Sequence, residues 1–322
     1  MDEINVAREE QRARADKIRT YFYKRHLANI RRWRLEHDDQ AFLRRVTLSN
    51  LCELAFLSNR EIRKQLAYAF IDALLADYER YPDRERVWIT IAWDRPLTWE
   101  RAPHLDIKSV RNIADQHLRR SEIDGIGTLE IDTWKEIAGE PGKRMVPHVH
   151  FLGWSRNGQT IDVAALQKQM CSRRALSNSL GAPSVVIKKV DQTARDMAML
   201  GYYMSKPPAY AKNPVPNPIG GGHDLCQVEH APGSVTRLIE VLSFLEVGDV
   251  LFSIRTGTPI AKEIRNRVKV RCSRRRTVGL PLTRDMIASH WRRIRSINGN
   301  KKFQDCNVIT RVEQRRLSEL DD

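Results

Sequence analysis

No stretch of this 322-residue chain stays apolar over the length that a membrane-spanning helix requires, and the mean hydropathy is −0.51. The opening residues, MDEINVAREEQRARADK, are charged and lack the apolar centre of a secretory leader. No membrane partner is therefore expected, and a cytoplasmic location is. Cysteine is sparse: Cys52, Cys171, Cys226, Cys272 and Cys306 are scattered, with no C-x-x-C among them. An odd, dispersed set suits reduced thiols and excludes a disulfide framework as the organising device. No G-x-x-x-x-G-K-[ST] occurs, so there is no phosphate-cradling loop of the ATPase kind. Internal repeats are absent, as is low-complexity sequence apart from one Pro/Gly-rich stretch. Acidic residues are outnumbered: 40 Asp and Glu face 55 Lys and Arg, for a net charge of +15 and a pI near 9.8. That excess points to a polyanionic partner, nucleic acid first. No basic amphipathic anchor or lipidation motif directs it to a membrane surface instead.

Residues 1–82 read as a helical N-terminal region. Within it, YFYKRHLANIRRWR interleaves aromatics with bases, which suits stacking on nucleobases while holding phosphates. A plainer reading turns Tyr21, Leu27 and Ile30 toward a core. Ser58 or Asn59 is expected to cap the helix REIRKQLAYAFIDALLADYER, on which Ile62, Leu66, Ala69, Phe70 and Ala73 keep helical spacing. Short helical pieces over 47–66 have the length of a helix-turn-helix, though no turn residue distinguishes one. Residues 81–83 (YPD) break the helical region. Beyond them VWITIAWD, residues 87–94, is β-branched and aromatic, a strand. Residues 105–123 follow as a helix with Ile107, Val110, Ile113, Ala114, His117 and Leu118 on one face. GIGTLEIDTW (125–134) is a second strand, KEIAGEPGKR a hairpin-like connection, and RMVPHVHFLGW (144–154) a third strand, antiparallel to the second. Asp162 should cap VAALQKQMCSRRAL. A strand over 183–191 and a helix over 193–206, stopped by Pro207 and Pro208, complete the series.

This order indicates an α+β fold, with a central, mostly antiparallel sheet flanked by helices over residues 83–208. Residues 209–235 read as a Pro/Gly-rich loop. Residues 236–322 read as a basic C-terminal region that opens with a helix over 236–246 and carries RNRVKVRCSRRR and HWRRIRSINGNKK.

Strand side chains alternate, so His148 and His150 leave the same face with Val149 on the other, a ready chelating pair. Glu130 and Asp132 share a face of the adjoining strand. If the hairpin pairs, one of these carboxylates can complete a three-ligand set and leave open positions for water or a phosphate oxygen. Asp132 suits a solvated position better. In GYYMSKPP, Tyr203 precedes Lys206 by three residues and Tyr202 by four, so either phenol lies beside the lysine on a helix. His223, Cys226 and His230 are zinc-ligand types within reach of one another, but no fourth ligand accompanies them.

With these residues in place, the segment from about 87 to 208 resembles the HUH endonuclease superfamily of rolling-circle replication initiators, relaxases and single-strand transposases. The likeness is carried by His148-Val149-His150, by Tyr203-Met204-Ser205-Lys206, and by VWITIAWD in the place of the family's first motif strand. It implies that His148, His150 and Glu130 hold Mg²⁺ or Mn²⁺ beside a phosphate of single-stranded DNA. It implies that a tyrosine attacks to leave a 5′-phosphotyrosine and a free 3′-hydroxyl. Tyr203 matches the spacing used by one branch of the family, with Tyr202 as the close rival. Lys206 either favours the phenolate or holds phosphate. Position 199 is Met and position 207 Pro, so the two-tyrosine pattern is missing and a single nucleophile is implied. Relaxases carry a third histidine, and none stands near this pair; an initiator or transposase fits better. The implied partners are single-stranded DNA, the origin DNA of a plasmid, phage or integrated element, and a separate helicase. Two rivals differ in class. A cupin-like or facial-triad oxygenase needs a carboxylate just past the pair, and residues 151–157 supply none. A non-catalytic DNA-binding regulator would use the basic helices and keep the histidines for structure.

Overall fold

The computed structural model describes residues 2–31, 35–47, 56–93, 96–137, 140–176, 183–216, 223–231, 233–273, 282–297 and 304–310. Helix α1 (Glu3–Ile30) starts at Asp2, whose carboxylate accepts the Ile4 amide at 3.2 Å, and α2 spans His37–Thr47. Helix α3 (Arg60–Arg80) starts at Asn59, not Ser58: the Asn59 side chain accepts the amides of Glu61 and Ile62 at 2.8 and 3.2 Å. Strand β1 (Val87–Ile91) alternates buried and half-buried residues, as its composition requires. Two short strands that composition did not signal, β2 (Thr98–Trp99) and β3 (His104–Asp106), lead into α4 (Ile107–Arg120). A long hairpin of β4 (Ile123–Ile137) and β5 (Glu140–Ser155) follows, and its strands take in most of the stretch read as a connection. Then come α5 (Val163–Cys171), capped by Asp162, β6 (Val185–Lys189) and α6 (Ala194–Ser205), capped by Thr193. The remainder is β7 (Ala211–Pro216), β8 (His223–Val228), α7 (Ser234–Leu242), α8 (Val247–Val250), β9 (Leu251–Ile254), α9 (Thr258–Ser273), α10 (Arg284–Ile297) and β10 (Asn307–Ile309).

The main sheet runs β6-β1-β5-β4-β7-β8, with β2 added on β5 and β9 on β4; β10 and β3 form a separate parallel pair. Every pairing in the main sheet is antiparallel except β4 with β7, which meet at Trp134 and Lys212. Two expectations change here. The Pro/Gly-rich stretch read as a loop over 209–235 holds the β7–β8 hairpin and extends the sheet. Proline is tolerated in β7 because that strand meets β4 at one residue pair, so few of its amides are needed on that side. The C-terminal region also enters the sheet, through β9 on β4. Its basic runs extend into residues 274–281 and 298–303, outside those described.

One continuous apolar core joins these pieces. Helix α3 lies at its centre, with α1, α6 and α9 packed on it. Ile62, Leu66, Ala69, Phe70 and Ala73 are all buried, as their spacing requires. Helix α1 differs from expectation: Phe22, Tyr23 and His26 enter the core, and Tyr21, Leu27 and Ile30 stay half-buried at its margin. The Tyr23 hydroxyl donates to the Ser58 carbonyl at 2.7 Å, which favours its entry over Tyr21. Part of the helix-turn-helix reading, residues 48–55, falls outside the described residues. Cys171, Cys226 and Cys306 are free thiols.

Candidate metal centre and the adjoining tyrosine cleft

The β4–β5 register places Glu130 opposite His148 and Thr128 opposite His150. Glu130, His148 and His150 therefore converge on one face, and their donor atoms all lie within 4.8 Å of one another. The two Nε2 atoms are 3.1 Å apart, and Glu130 Oε2 lies 3.1 Å from His150 Nε2 and 3.6 Å from His148 Nε2. Donors at such separations can share one divalent ion at bond lengths of about 2.0–2.2 Å. The far side of each ring supports the same reading. His148 Nδ1 lies 3.1 Å from the Val146 carbonyl, which only accepts, so Nδ1 carries a proton and Nε2 is the nitrogen turned to the site. His150 Nδ1 lies 3.2 Å from the Thr90 hydroxyl on β1, and Trp88 stacks on the His150 ring at 5.2 Å. The residues present thus fit a metal ion.

Asp132, expected to be solvated, is buried on this face, among residues of α1 and α6. Its nearer oxygen is 3.9 Å from His148 Nε2. Burial and then the Glu130 charge raise its pKa. Burial also works against Glu130, but the Lys206 charge and the two imidazoles outweigh it and hold that carboxyl well below its usual range. For His148, burial lowers the pKa, and the Glu130 hydrogen bond with the Asp132 and Glu130 charges more than restores it. His150 shows the opposite balance: burial dominates and lowers it to about 4.

Helix α6 delivers the tyrosines. It crosses α3 where Gly201 has no side chain; a Cβ there would stand 2.8–3.0 Å from the backbone of Phe70 and Ile71. This close approach sets Tyr203 edge-on to His150, with ring centroids 5.3 Å apart, and edge-on to Trp88 at 5.8 Å. Lys206, at the end of α6, donates to both Glu130 oxygens at 2.8 and 3.1 Å, and its ammonium sits 4.4 Å over the Tyr203 ring. Burial opposes its charge, and the Glu130 and Asp132 carboxylates overcome that, so its pKa is raised. Tyr202 turns toward α1, where Arg14 stacks over its ring at 4.9 Å; burial raises its pKa. Both tyrosines line a cleft of about 390 Å³ between α1, α6 and the chain after α6.

All six candidate residues, His148, His150, Glu130, Tyr203, Lys206 and Tyr202, thus lie in one neighbourhood. Trp88 and Thr90 were missed. Their signal was partial: in VWITIAWD the period-two alternation puts both on one face, but Trp and Thr are ordinary strand residues and mark no task by themselves. The zinc-like set fares differently. His230 is held at both ring nitrogens, by the Thr133 hydroxyl at 2.9 Å and the Pro208 carbonyl at 2.8 Å, while Cys226 is exposed and the His223 side chain lies outside the described residues. Among the described residues, Glu130, His148 and His150 are the group with metal-binding geometry. Compared with known proteins, the chain matches no protein-family model, no curated protein and no solved structure.

Proposed function

We propose that this protein is a metal-dependent nickase and joiner of single-stranded DNA, acting through a 5′-phosphotyrosine, that initiates rolling-circle replication of a plasmid, phage or integrated element. One observation carries the reading. A buried set of two imidazoles and a carboxylate adjoins a phenol, Tyr203, whose ring lies 5.3 Å from the His150 ring and beneath the Lys206 ammonium. His148, His150 and Glu130 would hold Mg²⁺ or Mn²⁺, which when bound withdraws charge from phosphoryl oxygens as a Lewis acid.

The chain's own residues would do the rest. The Tyr203 oxygen attacks phosphorus and loses its proton to solvent. A tyrosyl O–P bond forms as the bond from phosphorus to the 3′ oxygen breaks, and the departing oxygen takes up a proton. The phosphotyrosine keeps the phosphodiester bond energy, so a 3′-hydroxyl can reverse the step. Lys206 holds Glu130 in place and sets a positive charge against the ring where the phenolate develops. Unwinding would fall to a separate helicase acting at the origin.

Fluorescent single-stranded oligonucleotides incubated with protein and Mn²⁺ test the proposal. A covalent adduct on denaturing gels, with the label mapped to Tyr203, is expected. H148A and H150A should lose it. If no oligonucleotide of varied sequence yields an adduct, while DNA binding survives loss of both histidines, a non-catalytic regulator is the better description.

A further inference from the structure

The cleft beside Tyr203 has one wall made by α1, outside the segment that resembles the nuclease family. Arg14, Lys17 and Tyr21 come from that helix, and Tyr210 and Lys212 from the chain after α6. Elsewhere on α1 the arginines are ion-paired: Arg12 with Asp72 at 2.7 Å, Arg19 with Asp16 at 2.6 Å and Arg25 with Glu229 at 3.1 Å. Arg14, Lys17 and Lys212 form no ion pair among the described residues. All three line the cleft, where Lys206, paired with Glu130, adds a fourth cation. The Tyr21 and Tyr210 rings stack there, 5.2 Å apart and 24° from parallel. Asp132 is the one acid in the lining.

Such a wall, with more cations than acids, suits an anion. Three like charges around a cleft repel one another, and a phosphate relieves that repulsion. Tyrosine faces beside them add a surface for a flat ring, which a simple anion would not use. A volume of about 390 Å³ lies at the lower end of the range for small-ligand sites and excludes a duplex.

We infer that this cleft seats one unpaired nucleotide of a DNA strand, with Lys17 and Lys212 on its phosphate and the Tyr21–Tyr210 pair against its base. The identity of the strand rests on the nicking chemistry proposed above; the binding itself needs no metal. The N-terminal helix thereby supplies one wall of the nucleotide's seat.

Fluorescence anisotropy with a labelled oligothymidylate in EDTA tests this in the full-length protein. Wild type should bind. K17E and K212E should each weaken binding about tenfold and flatten the dependence of log K on log salt by about 0.7 per lost phosphate contact. Y21A should weaken binding at an unchanged salt slope, which a merely structural role would not produce. A 5-iodouracil oligonucleotide should photo-crosslink wild type at Tyr21 or Tyr210, a readout that does not depend on any variant folding. Wild type that does not bind, lysine variants that bind normally, a crosslink elsewhere, or preference for duplex DNA or RNA each overturns the inference. The two proposals fail separately. If K17E loses binding in a protein that never forms an adduct, the cleft stands and the nicking falls. If K17E binds as wild type in a protein that does form an adduct, the reverse holds.

Discussion

Tyr203 and Tyr202 are neighbours in the chain but point to different surroundings. Tyr203 lies against His150, Trp88 and the Lys206 ammonium. Tyr202 is buried beside Arg14, and burial makes its phenolate harder to form. Y203F is therefore expected to abolish the protein–DNA adduct, and Y202F to reduce its rate only a few-fold; denaturing gels read both. The imidazoles make a second expectation. Two nitrogen donors and one carboxylate suit Mn²⁺ better than Mg²⁺, which prefers oxygen. Mn²⁺ should raise the melting temperature more than Mg²⁺ at equal concentration. A hundredfold excess over Kd is worth about 2.7 kcal/mol of stability. H148A or H150A should abolish the shift, and a shift that survives in both would place the ion elsewhere.

At the scale of elements, the position of Tyr203 depends on how closely α6 can approach α3. G201A puts a methyl group against the Phe70 and Ile71 backbone, which cannot move aside as a side chain would. It should cost about 1–3 kcal/mol in denaturant unfolding and slow adduct formation, although Gly201 touches no metal ligand. The opposite end of α3 is held by charge. Arg86 is fully buried, and its guanidinium donates to Asp77 at 2.9 Å, to Gln192 and to three backbone carbonyls, joining α3 to β1 and to the turn before α6. D77A leaves that cation unpaired and is expected to cost about 3–5 kcal/mol. The α1–α7 contact adds a pH dependence. His26 is buried against the Thr236 hydroxyl, and burial lowers its pKa from 6.5 to about 3. Between those values the unfolded chain binds the proton and the folded chain does not, so this contribution is full above the higher value and lost as pH falls through the window. Urea midpoints of H26Q should fall less steeply with acidification than those of wild type.

For the whole molecule, the question is what folds as a unit. Residues 83–208 hold the motif strands and the tyrosine helix, yet their sheet continues into β7, β8 and β9, and α6 rests on α3 and α1. A fragment of 83–208 should show no cooperative thermal transition, whereas the full chain should. A fragment that melts cooperatively would show that the helical region is an attachment to the nuclease-like part. Legibility followed the same division. The alternation of MVPHVHF and LEID placed the histidines and the acids on their faces, and the helix cap at Asp162 was readable, as was the one at Asn59 to within a residue, because each is a local bond. The hairpin among the prolines of 209–235 was not, since composition there resembles a loop and its pairing partner lies far away in the chain. The cleft wall on α1 was half legible: its bases and aromatics were visible, but not that Tyr21 stands at the margin while Phe22 and Tyr23 are buried.

By itself the sequence determined the period of the strands that carry the histidines and acids, the existence of the helices around them and the excess of positive charge, because backbone geometry and ionisation act over a few residues. Only tertiary structure decided that Glu130 stands opposite His148, that Tyr203 rather than Tyr202 faces the imidazoles, and that α1 closes over the cleft. Those outcomes depend on hairpin register and on helices meeting at a glycine. They are set by contacts between segments far apart in the chain, which no local pattern of residues encodes.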